Sequence, residues 1–217
     1  MTKHYKTRIN NFSKNIASKM VQLEPFYDNK FHLFCQQKIL VDEILDCLLI
    51  GLNQASIVLT NHLLERMLKF YLINSEMRGL HVGDSDFNLK HDEAEAKYDR
   101  KNLSSNINSA FRRRIITEEE KTELMSLKDE FRNPYSHAEI TKIVKDIPKN
   151  AIGLMYDFSE VKDALQKGEQ IPQGQETEIP SNIMAQFSQK DKTEYSALEY
   201  FKNVFNLMCK IEDKSDT

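Results

Sequence analysis

Arg132 and His137 bracket the stretch best suited to chemistry, Phe131-Arg132-Asn133-Pro134-Tyr135-Ser136-His137. A guanidinium offers a rigid fork of donors to phosphate oxygens, and an imidazole moves a proton near neutral pH. The combination suits work on a phosphodiester. Tyr135 and Ser136 add hydroxyls that could reach a phosphate or a ribose, although a turn hydroxyl more often bonds its own backbone.

The spacing has a geometric consequence. On an unbroken helix, residues five apart are rotated by about 140° from one another, so Arg132 and His137 would not share a face. Pro134 lacks an amide donor and clashes with the preceding turn, so the helix running up to Arg132 is expected to end or kink there. Asn133 then suits an N-cap and Pro134 a first helical residue of a new turn carrying His137. Free amides at that turn would favour a bound anion beside the imidazole. The helix dipole would also favour neutral imidazole, though only by about 0.3–1 kcal/mol, less than one pKa unit.

The elements around this stretch read as helices. One long apolar-periodic run covers about Lys30 to Ile50, with Phe31, Phe34, Val41, Leu45 and Leu48 on one stripe and Gly51 and Asn53 closing it. A second, from about Gln54 to Glu76, presents Val58, Leu59, Leu63, Met67, Phe70 and Tyr71. Residues 77–103 are rich in Gly and charge and read as a mobile connection holding one short helix near Asp92 to Asp99. A third helix spans Ser104 to Ile116. Thr117 and Glu120 form a capping box for the next, which carries Leu124, Leu127 and Phe131 to the Arg132 motif. Ile140 to Val144 is ambiguous, a helix is expected near Ser159 to Lys167, and the decade from Ile171 to Pro180 is the most loop-like. The last helix follows a capping signal at Asp191 and Glu194, with Tyr195, Leu198, Phe201, Phe205, Met208 and Ile211 at helical spacing.

Arg132, Asn133 and His137 resemble the motif of the HEPN superfamily: an Arg followed after four to six residues by a His, commonly with Asn, Asp or His directly after the Arg. The resemblance implies an all-α, HEPN-like antiparallel helical bundle over residues 30–217, with 1–29 as an N-terminal extension and 140–190 as an insertion between the motif and the C-terminal helix. It implies a metal-independent endoribonuclease that cleaves single-stranded or loop RNA to a 2′,3′-cyclic phosphate, with Arg132, His137 and Asn133 in catalytic roles and no cofactor. A two-fold homodimer with both motifs in one cleft is also implied, as is a toxin or anti-phage role with RNA and, in some cases, an antitoxin protein as partners. In one known pairing the antitoxin nucleotidylates a Tyr two residues after the motif His, a position held here by Glu139. The alternative is a non-catalytic HEPN-like dimerisation or RNA-binding module, and a third reading is a nucleic-acid-binding regulator.

Each residue also has a plainer reading. Arg132 could complement a helix dipole, Asn133 could be only a cap, and His137 could be an ordinary surface histidine. Arg112, Arg113 and Arg114, with Lys97, Arg100 and Lys101 nearby in sequence, form the one dense basic cluster, suited to an RNA backbone or simply to a solvated helix end. His62 and Glu65 are three apart on the second long helix, and a hydrogen-bonded pair explains them better than a metal. His81, Asp84, Asp86, His91 and Asp92 match neither a calcium loop nor a zinc spacing. No phosphate-binding Gly-rich loop, nucleophile elbow or kinase signature is present.

Composition sets the outer limits. With 217 residues and a net charge of −3, one sizeable core is expected and any RNA contact must come from a local basic patch. Six Gly and five Pro agree with a helix-rich chain. Cys35, Cys47 and Cys209 lack paired spacing and read as small buried hydrophobes of a reducing compartment. No stretch approaches the roughly 20 apolar residues needed to span a bilayer, so the expectation is a cytoplasmic protein without a membrane partner.

Overall fold

In a computed structural model, which describes residues 3–27, 35–137, 139–144 and 150–215, the chain is all-α apart from one two-stranded sheet. Its helices are α1 (Lys3–Tyr27), α2 (Lys38–Leu49), α3 (Asn53–Glu76), α4 (Phe87–Asp99), α5 (Leu103–Arg112), α6 (Glu118–Leu127), α7 (Asn133–Ser136), α8 (Ile140–Ile143), α9 (Phe158–Lys167) and α10 (Ser181–Ser215). No described helix is long and apolar enough to cross a membrane.

α3 is the axis of the bundle. Ile57, Leu63, Leu64, Met67, Leu68 and Leu72 are fully buried along it, because α2, α4, α5 and α10 pack around it. The apolar residues that the second run presents in the sequence are therefore covered largely within one chain. α10 supplies Tyr200, Phe201, Val204, Leu207 and Met208 to the same core. Phe26 of α1 meets Phe201 and Phe205 edge-on at 5.3 and 5.0 Å between ring centres. The N-terminal segment expected as an extension thus contributes a helix to the bundle.

Local signals set several boundaries as expected. α2 closes with a left-handed Gly51 at φ 77°, where Leu52 N–H reaches Cys47 O and Gly51 N–H reaches Leu48 O. That reciprocal pair satisfies two orphan carbonyls, and a residue without Cβ adopts the required φ at least cost. The capping box forms in full: Glu120 N–H donates to Thr117 Oγ1 at 3.2 Å, and Thr117 N–H to Glu120 Oε2 at 2.8 Å. Lys214 Nζ donates to the other oxygen of Glu120 at 2.5 Å, tying the end of α10 to the start of α6.

Other expectations need correction. The α-helix of the first apolar run begins at Lys38 after a 3₁₀ turn (Cys35–Gln37), and Phe31 and Phe34 lie outside the described residues. Within residues 77–103 the short helix expected near Asp92 to Asp99 starts earlier: α4 fills thirteen residues and buries Ala94 and Tyr98. The loop-like decade contains strand β2 (Gln175–Pro180), which pairs antiparallel with β1 (Asn150–Met155), Met155 opposite Gln175. Backbone pairing compensates there for poor strand composition. α10 begins ten residues before Asp191, so Asp191 is a helical residue and not a cap. Cys35 is exposed rather than buried, while Cys47 and Cys209 are half-buried.

Candidate functional site

The helix carrying the motif does not break at Pro134. α6 passes into a π-helical turn (Lys128–Arg132), and α7 continues from Asn133 to Ser136. Asn133 N–H reaches back five residues to Lys128 O. Pro134 cannot donate, and its ring would press on the carbonyl four residues earlier. The wider turn accommodates both demands without ending the helix. Asn133 consequently has helical backbone angles, φ −65° and ψ −52°, and is no N-cap. The row of free amides expected beside the imidazole does not form there. The helix ends at His137, whose N–H donates to Asn133 O at 3.1 Å.

Arg132 points from this turn onto α3. Its Nε donates to Glu65 Oε1 at 2.8 Å, with about a quarter of each side chain exposed, 25% and 29%. Arg132 Nη1 reaches Asn133 Oδ1 at 3.4 Å, and Asn133 Nδ2 donates to Asp129 Oδ1 at 3.2 Å. A chain of polar contacts thus runs from Glu65 through the guanidinium to Asp129. Glu65 pairs with the motif arginine, not with His62, which is exposed on the outer side of α3.

Beneath this pair lies a buried support. Phe131 stacks on Tyr200 of α10, ring centres 4.2 Å apart and planes at 11°. Tyr200 Oη donates to Asn61 Oδ1 at 2.7 Å, one helical turn before Glu65. Burial pushes the Tyr200 phenol well above its ordinary pKa, the Glu65 carboxylate adds to the rise, and the Arg132 cation opposes it. Asn61 is 4% exposed, and among the described residues its Nδ2 is buried without a hydrogen-bond partner. Leaving such a donor unpaired costs about 1–3 kcal/mol.

The remaining candidates separate. His137 and Ser136 are exposed at the end of α7. Tyr135 turns to α10, where burial raises its hydroxyl to about 12 against a hydrogen bond to Ser196. The three consecutive arginines at the end of α5 go three ways. Arg112 is exposed beside a groove with Lys101 and Lys121; Arg113 ion-pairs with Glu76; Arg114, left-handed at φ 58°, lines another cavity with Arg78. They do not form one track. His91, Asp92 and Glu95 bring ligand atoms within 4.8 Å of one another on the surface of α4, an arrangement that exposed acidic groups reach without an ion.

Sequence reasoning missed Glu65 as the partner of Arg132, and Asn61 and Tyr200 as its support. A signal existed for Glu65 and Asn61, which are four apart and so share one face of a largely apolar helix. Their partners are 67 and 139 residues distant, beyond any spacing argument. Comparison with protein-family models, curated proteins and solved structures returns no significant match for this chain.

Proposed function

We propose that this chain is a metal-independent endoribonuclease of HEPN type, acting on single-stranded or loop RNA through Arg132 and His137. The observation that carries the reading is an arginine held by Glu65 through Nε, with an exposed histidine one and a half turns further along the same helical run. Nη2 is the guanidinium nitrogen left out of the bonds to Glu65 and Asn133, and it is the one positioned to serve a phosphate oxygen. Unpaired RNA can align its 2′-hydroxyl with the scissile phosphorus, whereas an A-form duplex resists this. A neutral imidazole takes the 2′-hydroxyl proton as the 2′-oxygen bonds to phosphorus. The guanidinium stabilises the charge on the phosphoryl oxygens, and an imidazolium returns a proton to the departing 5′-oxygen. The product is a 2′,3′-cyclic phosphate and a 5′-hydroxyl.

Helical continuity supports a two-fold arrangement. Arg132 and His137 project about 140° apart from one helical run, and each chain offers one motif histidine. A homodimer with two motifs in one cleft supplies both base and acid. An effector of this kind damages the cell that makes it, which gives the toxin or defence role and an antitoxin protein as partner.

The test is incubation of purified protein with mixed RNA in EDTA, followed by end-group analysis. Wild type should produce 2′,3′-cyclic ends, and His137→Ala should slow cleavage by at least about 100-fold, the typical scale of a lost general acid–base. Arg132→Ala should abolish it while the helical circular dichroism is unchanged. Cleavage that survives both substitutions, or that EDTA removes from the wild type, would sink the reading. The Glu65 ion pair is the one observation favouring a second reading, a non-catalytic dimerisation or RNA-binding module in which Arg132 only docks the motif helix on α3. RNA that is bound but never cut by the wild type would establish that reading instead.

A further inference from the structure

Where α5 and α6 face one another, a surface groove of about 540 Å³ is lined by Lys101, Ser105, Ser109, Phe111, Arg112 and Lys121, among others. We infer that this groove binds the phosphates of a single-stranded polynucleotide, holding the strand beside the motif helix. The inference rests on the reading of the chain as an RNA-acting protein.

The charge is concentrated locally in an acidic chain. None of the described residues lining the groove is a carboxylate, while three are cations. Glu76 is engaged by Lys97 and Arg113, whereas Lys121 shares its charge with Glu118 at 3.0 Å, an exposed surface pair of the kind that contributes little. Among the described residues Lys101 donates to Ser109 Oγ at 3.3 Å, lies 4.8 Å over the Tyr98 ring and makes no ion pair. Desolvation lowers its pKa, and the neighbouring cations Lys97, Arg112 and Arg113 lower it further, against a weaker pull from Glu76. Arg112 Nε donates to Asn108 O of its own helix at 3.3 Å. Like charges held this close repel, and a bound anion relieves them.

The shape selects among anions. Cations spaced along an open groove match a repeating phosphate backbone better than one compact anion. Phe111 places an aromatic ring among them, with Lys121 Nζ at 4.3 Å from its centre. Aromatic and cationic side chains together are the usual platform for unpaired bases and their backbone. Lys121 and Arg132 lie on one helical run and are separated by on the order of 15 Å along it, at about 1.5 Å per residue. A strand of a few nucleotides spans that distance. A strand seated in the groove is therefore long enough to reach the motif.

The experiment measures fluorescence anisotropy of a labelled mixed-sequence single-stranded RNA oligonucleotide in low salt, with every chain carrying His137→Ala so that RNA is not consumed. Adding Arg112→Ala and Lys121→Ala together should weaken binding at least tenfold. It should also reduce the log-affinity against log-salt slope by about 1.4, at roughly 0.7 per lost phosphate contact. Lys90→Ala with Lys162→Ala, an equal charge change on exposed lysines of α4 and α9, should weaken binding less than twofold. Lys101→Met, with circular dichroism as the folding check, should act in the same direction as the groove pair. Equal losses from the two pairs, or displacement by polyglutamate as effective as by unlabelled RNA, would overturn the groove. The two proposals fail separately. Groove-dependent binding without cleavage by the wild type removes only the ribonuclease, and cleavage with binding indifferent to the groove pair removes only the groove.

Discussion

Two carboxylates eleven residues apart on α3 each receive an arginine from a later helix, and they are used differently. Glu76 accepts from Lys97 at 2.6 Å, from the Tyr98 hydroxyl at 2.6 Å and from Arg113. Glu65 accepts from Arg132 Nε at 2.8 Å. The bonds from Lys97 and Tyr98, strengthened by Arg113, hold the Glu76 carboxyl down at about 2, and the Tyr98 phenol is raised to about 12 by burial and by Glu76. All three donors meet on Glu76 Oε1, and the lysine and arginine bound there join α3, α4 and the end of α5. At Glu65 the guanidinium is anchored at one nitrogen. A carboxylate with several donors ties helices together, whereas one with a single donor orients a cation and leaves Nη2 outside the bonds to Glu65 and Asn133.

The difference is strongest in stability. Glu76→Gln should cost about 2 kcal/mol, on the scale of hydrogen bonds to charged groups, and leave any RNA cleavage rate within twofold. Denaturant unfolding across pH provides the check. A carboxyl that titrates at about 2 in the fold, against its ordinary 4.5, contributes fully above pH 4.5, and that contribution fades as pH falls toward 2. The wild type should lose stability through that window, and Glu76→Gln should show a flatter acid limb. A substitution at Glu76 that leaves the limb unchanged would break the comparison from its structural side.

Glu65→Gln should cost less in stability, about 1 kcal/mol, because a neutral amide oxygen still accepts from Arg132. Its effect should appear in catalysis as a roughly tenfold lower kcat with KM little changed, equivalent to about 1.4 kcal/mol of transition-state positioning. A larger stability loss at Glu65 than at Glu76, with cleavage unaffected, would make Arg132 another structural anchor.

Tyr200→Phe sharpens the comparison at its smallest scale. It retains the stack on Phe131 and removes the 2.7 Å bond to Asn61, leaving a buried amide oxygen unsatisfied at about 1 kcal/mol. Thermal unfolding should report a fall of a few degrees. An unchanged midpoint would show that the Asn61 amide reorients to a new partner.

Much of the scaffold was legible because its causes are local. The Thr117 and Glu120 capping box, the turn at Gly51 and the bounds of α3 depend on groups within four or five residues of one another. The same locality misled where two local rules competed. Pro134 and Asn133 read as a break and a cap, but the apolar contacts of Phe131 with α10 on one side and Pro134 burial on the other reward a helix that continues. A π turn supplies the missing room. Asp191 similarly resembles a cap, yet the helix extends past it to Ser181, next to a strand pairing that the composition of residues 171–180 does not announce.

By itself the sequence determined an all-α bundle and the residue types at its one motif, because helical periodicity and capping are written in nearest neighbours. Only the tertiary structure decided what those residues touch. It joined Glu65 to Arg132 and Asn61 to Tyr200, sent Tyr135 to α10, and divided the three arginines among a groove, an ion pair and a cavity. Charges and hydroxyls take whichever partner the packing of apolar faces brings within reach, and that packing is a property of the whole chain.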